Sequence, residues 1–236
     1  MLLCSFTSGD QKNIPYSFID QYDHFMDQMS KGKKYEKEWN SNNTLFAYWI
    51  GTNDIFIIDQ DKYRYKLNRT IDSMVNTLFD TLEGTYDTGA RNFLFINLQA
   101  LEDLPRVNET DKNDMKSNTV RFNNCLYKES LDFYGRHNDT NVIIYNMKDE
   151  FLYITNNYEE YDFTINNDTY NSHKDKNPDM EDYIWLDDIH GTPKTNEILA
   201  KNINLLLTEN ENSAFQLYFN ITFSLLNILL VLYLIL

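Results

Sequence analysis

An aspartate and a histidine late in the chain have the types and spacing of a proton-transfer pair. Asp187 lies three residues before His190 in the stretch WLDDIHGTP, residues 185–193. A carboxylate at this spacing can accept the Nδ1 proton of the imidazole, which leaves Nε2 free to act as a base. Asp188 is a rival for the same role. Such a pair arises often by chance in an aspartate-rich chain, so its interpretation depends on a second motif.

The residues after this pair carry the start signal of a helix. Thr192 can cap it, Pro193 suits its first position, and apolar residues recur at helical spacing at Ile198, Leu199 and Ile203. The pair therefore lies in a loop that leads directly into a helix.

The second motif follows a buried strand far upstream. A continuous apolar run at residues 44–50 ends at Gly51-Thr52-Asn53-Asp54, and similar runs at 92–98 and 141–145 predict two more buried strands. Strands that alternate with helices indicate a parallel sheet with helices on both sides. Functional groups gather at the carboxyl ends of such strands, so the two motifs are expected at one edge.

The sequence signals for the predicted helices differ in strength. A helix opens near Pro15, a long one carries apolar residues from Leu67 to Leu82 and is closed by Gly84, and a weaker one covers about 111–134. Residues 151–182 are polar and tyrosine-rich, and predict a long surface loop with short helical pieces.

Composition narrows the classes of function. The formal net charge of −15 over 236 residues argues against a nucleic-acid partner, which needs a basic surface. Cys4 and Cys125 form no disulfide framework, and the histidines show no metal-binding spacing, so no metal is predicted. Sequons for N-glycosylation permit a secreted glycoprotein; they begin at Asn42, Asn68, Asn108, Asn138, Asn167 and Asn220.

The end of the chain differs from the rest. Residues 214–236 contain no charged side chain and are just long enough to span a bilayer. We expect a folded domain over residues 1–208, a linker over 209–213, and a transmembrane helix or a GPI-type tail over 214–236. The domain would then be membrane-anchored on the extracellular or lumenal side.

The two motifs, in this order, resemble those of the SGNH (GDSL-type) hydrolases, especially the fungal carbohydrate-esterase and acetylesterase branch. Residues 46–54 resemble the third conserved block, residues 185–192 the fifth, and residues 89–97 the fourth strand. Ser8-Gly9 resembles the second block. The resemblance covers about residues 5–208 and implies a three-layer, flavodoxin-like parallel sheet.

The resemblance also implies roles for particular residues. His190 would be the general base, and Asp187, which holds the family's position, would orient it. Asn53 would donate its side-chain amide to the oxyanion, and Gly9 a backbone N–H. Gly191 stands where the branch commonly has proline. The implied substrate is an acylated carbohydrate or a small ester, and no cofactor is implied.

The family's nucleophile is the serine of a Gly-Asp-Ser block on the first strand, and this sequence contains no such block. Ser5 and Ser8 lie in what resembles the second block, so no nucleophile is assigned. We therefore expect the sheet to miss its first strand, either because the chain is an incomplete version of a longer protein or because it is a serine-less relative.

Three functions follow from these expectations. The first is an ester hydrolase that removes acetyl or other small acyl groups from glycans or small esters. The second is a membrane-tethered, non-catalytic carbohydrate-binding or scaffold relative of the same fold. The third, a flavodoxin-like partner-binding domain, requires Asn53 and His190 to lie far apart.

Overall fold

The computed structural model describes residues 17–58, 66–176 and 179–211, together with residues 218 and 219. Gly9, Ser5 and Ser8 lie outside the described residues, so their predicted places stay predictions.

The described strands form one parallel sheet and one small accessory sheet. In the main sheet the order is β1 (Phe46–Tyr48), β2 (Asn92–Ile96), β3 (Asn141–Tyr145) and β6 (Tyr218–Phe219), and every neighbouring pair is parallel. The accessory sheet pairs β4 (Ile165–Thr169) with β5 (Tyr183–Trp185), also in parallel. The predicted parallel α/β sheet is confirmed for the described strands. β1, β2 and β3 lie within the predicted apolar runs, whereas β6 lies in the segment predicted as a hydrophobic tail.

Helices connect these strands along the chain. The described α-helices are α1 (Phe18–Met29), α2 (Thr52–Ile57), α3 (Leu67–Asp87), α4 (Lys112–Arg136), α5 (Met147–Asn156), α6 (Tyr170–His173) and α7 (Pro193–Glu211). Short 3-10 turns lie at Leu101–Asp103, Tyr158–Tyr161 and Met180–Asp182.

The core lies between the sheet and these helices. The last four residues of β2 and of β3 are buried in succession, so helices or loops cover both faces of the two strands. On one face aromatic rings pack against each other. The ring centroid of Phe79 of α3 lies 5.1 Å from that of Phe95, and the ring centroid of Phe133 of α4 lies 5.1 Å from that of Phe93. Burial of such rings stabilises the sheet by roughly 1.5–3 kcal/mol for each side chain.

Within the described part of the chain, β1 is an edge strand. Ala47 is exposed, and Phe46 and Tyr48 are only half-buried, so the prediction that this strand is buried on both faces was wrong. A groove of about 190 Å³ lies beside this strand and is lined by residues of α1 and β1.

Gly84 does not end the long helix, contrary to the sequence prediction. The helix continues to Asp87, and a Cβ at Gly84 would lie 2.0 Å from the hydroxyl of Tyr22. The glycine therefore serves the close approach of α1 to α3. The backbone reverses instead at Gly89, where φ is +110°.

The interpretation of residues 151–182 as a long loop with short helical pieces was right about the short helices but missed a strand. α5 occupies the first part of this segment, and β4 pairs with β5 at Ile165↔Tyr183. β4 reads Ile-Asn-Asn-Asp-Thr and so carries almost no apolar pattern, because its partner strand defines it rather than its own side chains.

The predicted hydrophobic tail falls mostly outside the described residues. α7 continues to Glu211, past the predicted domain end at 208, and residues 218 and 219 pair with β3. None of the helices in the described part of the chain combines the length and the apolar character that a bilayer span requires. Since Tyr218 and Phe219 form β6, the predicted helix does not extend over these two residues; over the rest of 214–236 the membrane helix stays a prediction.

Candidate active site

Asn53 is presented by a sharp turn at the carboxyl end of β1. Gly51 has a φ of +110°, is buried, and precedes α2, whose second residue is Asn53. A Cβ at Gly51 would lie 2.4 Å from the ring of Phe122, so both the backbone conformation and the packing demand glycine here. The side chain of Asn53 is exposed, and its amide has no hydrogen-bond partner among the described residues.

His190 and Asp187 form the hydrogen-bonded pair that their spacing predicts. The Nδ1 atom of His190 lies 2.9 Å from Oδ2 and 3.0 Å from Oδ1 of Asp187. Because a carboxylate can only accept, Nδ1 carries a proton, and Nε2 is the nitrogen that can act as a base in the neutral imidazole. The imidazole is 68% exposed, so Nε2 can be reached by a ligand. The rival Asp188 forms neither a hydrogen bond nor an ion pair with the imidazole, which is paired with Asp187.

Asp187 is held in its ionised form. Burial by itself would raise the pKa of Asp187, but hydrogen bonds from the His190 imidazole and from the backbone N–H groups of His190 and Ile189 lower it below its ordinary value of 3.8. These N–H groups donate to Oδ1 over 2.8 Å and 2.9 Å. The same carboxylate therefore shapes the loop and orients the imidazole.

The loop between β5 and α7 is anchored at several points. The N–H of Leu186 donates to the carbonyl of His190 over 2.8 Å, and the N–H of Thr192 donates to the carbonyl of Ile184 over 2.8 Å. The N–H of Arg106 donates to the carbonyl of Asp188 over 3.1 Å. The hydroxyl of Thr192 accepts from the N–H of Thr195 at 3.4 Å, which confirms Thr192 as the cap of α7.

Asn53 and His190 line one cavity of about 520 Å³. The two motifs are therefore brought to the same edge, as the parallel sheet predicts. The partner-binding alternative required these residues to lie far apart, and this arrangement does not meet that condition. Gly9, the other predicted oxyanion donor, lies outside the described residues.

The described walls of the cavity supply one hydroxyl side chain, Thr52, and neither a serine nor a cysteine. Cys125 is half-buried on α4, and burial raises the pKa of its thiol to about 11, which keeps it protonated at neutral pH. Within these walls, the site therefore provides a base and an amide donor without the serine of the family pattern.

Three further residues of the cavity were not predicted as site residues: Trp49, Gln99 and Asn196. Gln99 follows the predicted strand at 92–98, and this position was the available signal. Trp49 fell inside the predicted run at 44–50, whereas in the structure β1 ends at Tyr48 and Trp49 follows it. The rest of the wall is mainly apolar and comes from α5, α7 and the loop before α7; it consists of Met147, Phe151, Ile189, Gly191, Leu199, Ala200 and Ile203.

Comparison with known families agrees with this geometry. Residues 7–203 match the GDSL-like lipase/acylhydrolase family, and this match covers most of the chain. The chain belongs to that family, and the resemblance drawn from the motifs is confirmed at this level.

A named relative adds a more specific similarity. An acetylesterase from Thermothelomyces thermophilus is 25% identical over 194 residues, which cover 79% of this chain. The matched part is 60% of the relative, so the chain spans less than two thirds of the relative's length.

Proposed function

We propose that this protein is an ester hydrolase of the serine type that removes acetyl or other small acyl groups. The observation that carries the proposal is that Asn53 and His190 line one cavity while Asp187 holds Nδ1 of the imidazole. Family membership supports the reaction class, and the similarity to an acetylesterase supports a small acyl group.

In the proposed mechanism, the hydroxyl of the serine that the family pattern requires attacks the ester carbonyl, while His190 accepts its proton at Nε2 and returns it to the departing alcohol. His190 then activates a water molecule that hydrolyses the acyl-serine, which releases the acid and restores the serine hydroxyl. Asp187 stabilises the imidazolium that forms and fixes its orientation. The amide of Asn53 donates to the oxygen that becomes negatively charged in the tetrahedral intermediate, and Gly9 supplies a second donor through its backbone. One such donor contributes about 2.7–4 kcal/mol when it is aimed at the developing charge.

The kinetic test compares histidine variants on p-nitrophenyl acetate in a protein extended upstream of residue 1 by the family's Gly-Asp-Ser strand, because this sequence contains no such block. We expect His190→Ala to lower kcat by about 10²–10⁴-fold, because it removes the general base. His24→Ala is the matched control, since His24 is exposed on α1 and does not line the cavity. Equal activity of the wild type and His190→Ala would refute the proposal.

The nucleophile requires a separate experiment. A fluorophosphonate probe reacts with an activated hydroxyl, and peptide mass spectrometry identifies the residue that carries the label. In the same extended protein we expect the label on the serine of the added Gly-Asp-Ser block, and we expect Thr52→Val to leave the labelling in place. Labelling at Thr52, or labelling that persists in His190→Ala, would contradict a serine activated by His190.

A non-catalytic carbohydrate-binding relative is the second candidate. It is favoured by the described cavity wall, which combines the exposed Trp49 with several amides and lacks a serine. This candidate predicts that acetylated oligosaccharide binds without turnover and that the fluorophosphonate probe labels nothing.

We further propose that the natural substrates are acetylated glycans and that residues 214–236 tether the domain to a membrane on its extracellular or lumenal side. The uncharged character of that segment supports the tether. After cell fractionation, the full chain should stay in the membrane pellet through an alkaline carbonate wash and enter solution with detergent. Recovery in the carbonate supernatant would contradict an integral anchor.

A further inference from the structure

The cavity around Asn53 and His190 has a polar wall in addition to its apolar one. Thr52 and Gln99 line it together with Asn53, and Trp49 lies on the same cavity. Ligand sites commonly combine apolar walls with a few polar groups that fix the orientation of the ligand. The polar wall can therefore bind the part of a substrate that lies beyond the reacting carbonyl group.

Gln99 is held on a rigid segment that follows β2. The N–H of Leu98 donates to Oδ1 of Asn123 over 2.9 Å, and Nδ2 of Asn123 donates back to the carbonyl of Leu98 over 2.8 Å. One residue earlier, Oδ1 of Asn97 accepts from the N–H of Lys148 over 3.0 Å. The backbone that carries Gln99 is thus tied to both α4 and the start of α5.

The side chain of Gln99 itself remains available. It is half-buried, yet its amide forms no hydrogen bond to another described residue. Half-buried amides are generally hydrogen-bonded, and a glutamine amide offers two donors and an oxygen acceptor. Such a group at a cavity wall can bind two neighbouring hydroxyl groups at once.

Trp49 provides a second, independent observation at the same cavity. It follows β1 directly, and 48% of its surface is exposed. Among the large apolar residues that are described as exposed, only Leu205 has a larger exposed fraction. A large flat ring at a cavity mouth offers apolar contact area at low cost in side-chain entropy, and its N–H can still donate. The C–H face of a sugar ring fits such a surface.

We propose that Gln99 and Trp49 bind the alcohol half of the ester, and that this alcohol is a hydroxyl-bearing ring such as a sugar. Gln99 hydrogen bonds to ring hydroxyls, and Trp49 packs against the ring face. This inference rests on the proposed function, because it concerns the same cavity. It makes Gln99 and Trp49 specificity residues, whereas His190 and Asn53 act on the carbonyl.

The kinetic test uses two substrates that share the acetyl group and differ in the alcohol. Gln99→Met keeps the length of the side chain and removes its hydrogen bonds. We expect it to raise KM for a mono-acetylated methyl xylopyranoside about tenfold more than KM for p-nitrophenyl acetate, with kcat less affected. Gln28→Met, a substitution of the same type on α1, should leave the ratio of the two KM values unchanged.

A binding measurement separates this inference from the esterase assignment. Methyl xylopyranoside, which has no ester, is titrated into the wild type, Gln99→Met and Trp49→Ala, with binding followed by two-dimensional ¹H–¹⁵N NMR. We expect the Gln99 side-chain amide and the Trp49 indole signals to shift together, weaker binding in both variants, and partial recovery in Trp49→Phe.

These readouts have distinct outcomes. If the wild type hydrolyses neither ester but binds the xyloside through Gln99 and Trp49, the esterase proposal fails and this inference stands. If Gln99→Met changes both KM values equally, or if the xyloside shifts neither signal, the inference is overturned even in an active enzyme.

Discussion

The turn at Gly51 positions Asn53, and its replacement should show how strongly the site is built into the fold. Gly51→Ala introduces a Cβ at a φ of +110° and at 2.4 Å from the ring of Phe122, whose side chain is fully buried. The backbone strain costs about 1–3 kcal/mol. The displacement of a packed ring adds roughly 1–3 kcal/mol. Together these effects predict a loss of about 2–6 kcal/mol in the free energy of unfolding.

Two other glycines separate these effects. Gly89 has the same φ of +110°, but nothing lies within 4 Å of the place a Cβ would occupy, so Gly89→Ala should show the backbone strain alone. Gly135 lies in α4 with nothing near its Cβ position and no positive φ, so Gly135→Ala should stabilise the chain by about 0.5–1 kcal/mol. The predicted order of stability is Gly135→Ala, wild type, Gly89→Ala and Gly51→Ala.

Urea unfolding followed by circular dichroism measures these differences as shifts of the midpoint at constant slope. In a double-mutant cycle, Phe122→Leu should recover part of the loss in Gly51→Ala, because it withdraws the ring atoms that clash. If Gly51→Ala is no less stable than Gly89→Ala, or if Phe122→Leu and Gly51→Ala are simply additive, the packing argument is refuted.

Three further predictions concern the site. Asn53→Ala should lower kcat for p-nitrophenyl acetate by about 10²–10³-fold, because it removes the amide donor. The unfolding free energy should change little, since this amide lacks a partner among the described residues. An unchanged kcat would contradict the role of Asn53. Because the pKa of Asp187 is lower in the folded chain than its ordinary value of 3.8, its stabilising contribution is present above that value and is lost as the pH falls below it. The difference in unfolding free energy between the wild type and Asp187→Asn should therefore shrink as the solution is acidified below pH 4, and a constant difference would refute this reasoning. Asn123→Leu leaves the buried N–H and carbonyl of Leu98 unpaired and should cost about 1–3 kcal/mol, measured by urea unfolding, whereas no loss would contradict the anchoring role of Asn123.

The sequence was most informative where a local pattern has one physical solution. The runs at 92–98 and 141–145 are strongly apolar, and a strand that is covered on both faces buries all of these side chains. The spacing of Asp187 and His190 likewise predicted the hydrogen bond that the structure contains, because the two residues share one short loop.

The sequence was least informative where the structure depends on distant residues. β4 forms because Ile165 pairs with Tyr183, and Gly84 is conformationally ordinary but lies against Tyr22. Gln99 could be placed after a buried strand, yet its place in the cavity depends on how β1, β2 and the loop before α7 come together. These are tertiary effects that override local preference.

The most direct test of the central claim is whether Asn53 and His190 bind one and the same carbonyl group. N-methylacetamide, an acetyl compound that resists hydrolysis, is titrated into the ¹⁵N-labelled protein while the Asn53 side-chain amide and the His190 imidazole nitrogens are observed. Both sets of signals should shift with a single dissociation constant, and both responses should weaken in Asp187→Asn. If only one residue responds, or if the two respond with different constants, they do not form one site.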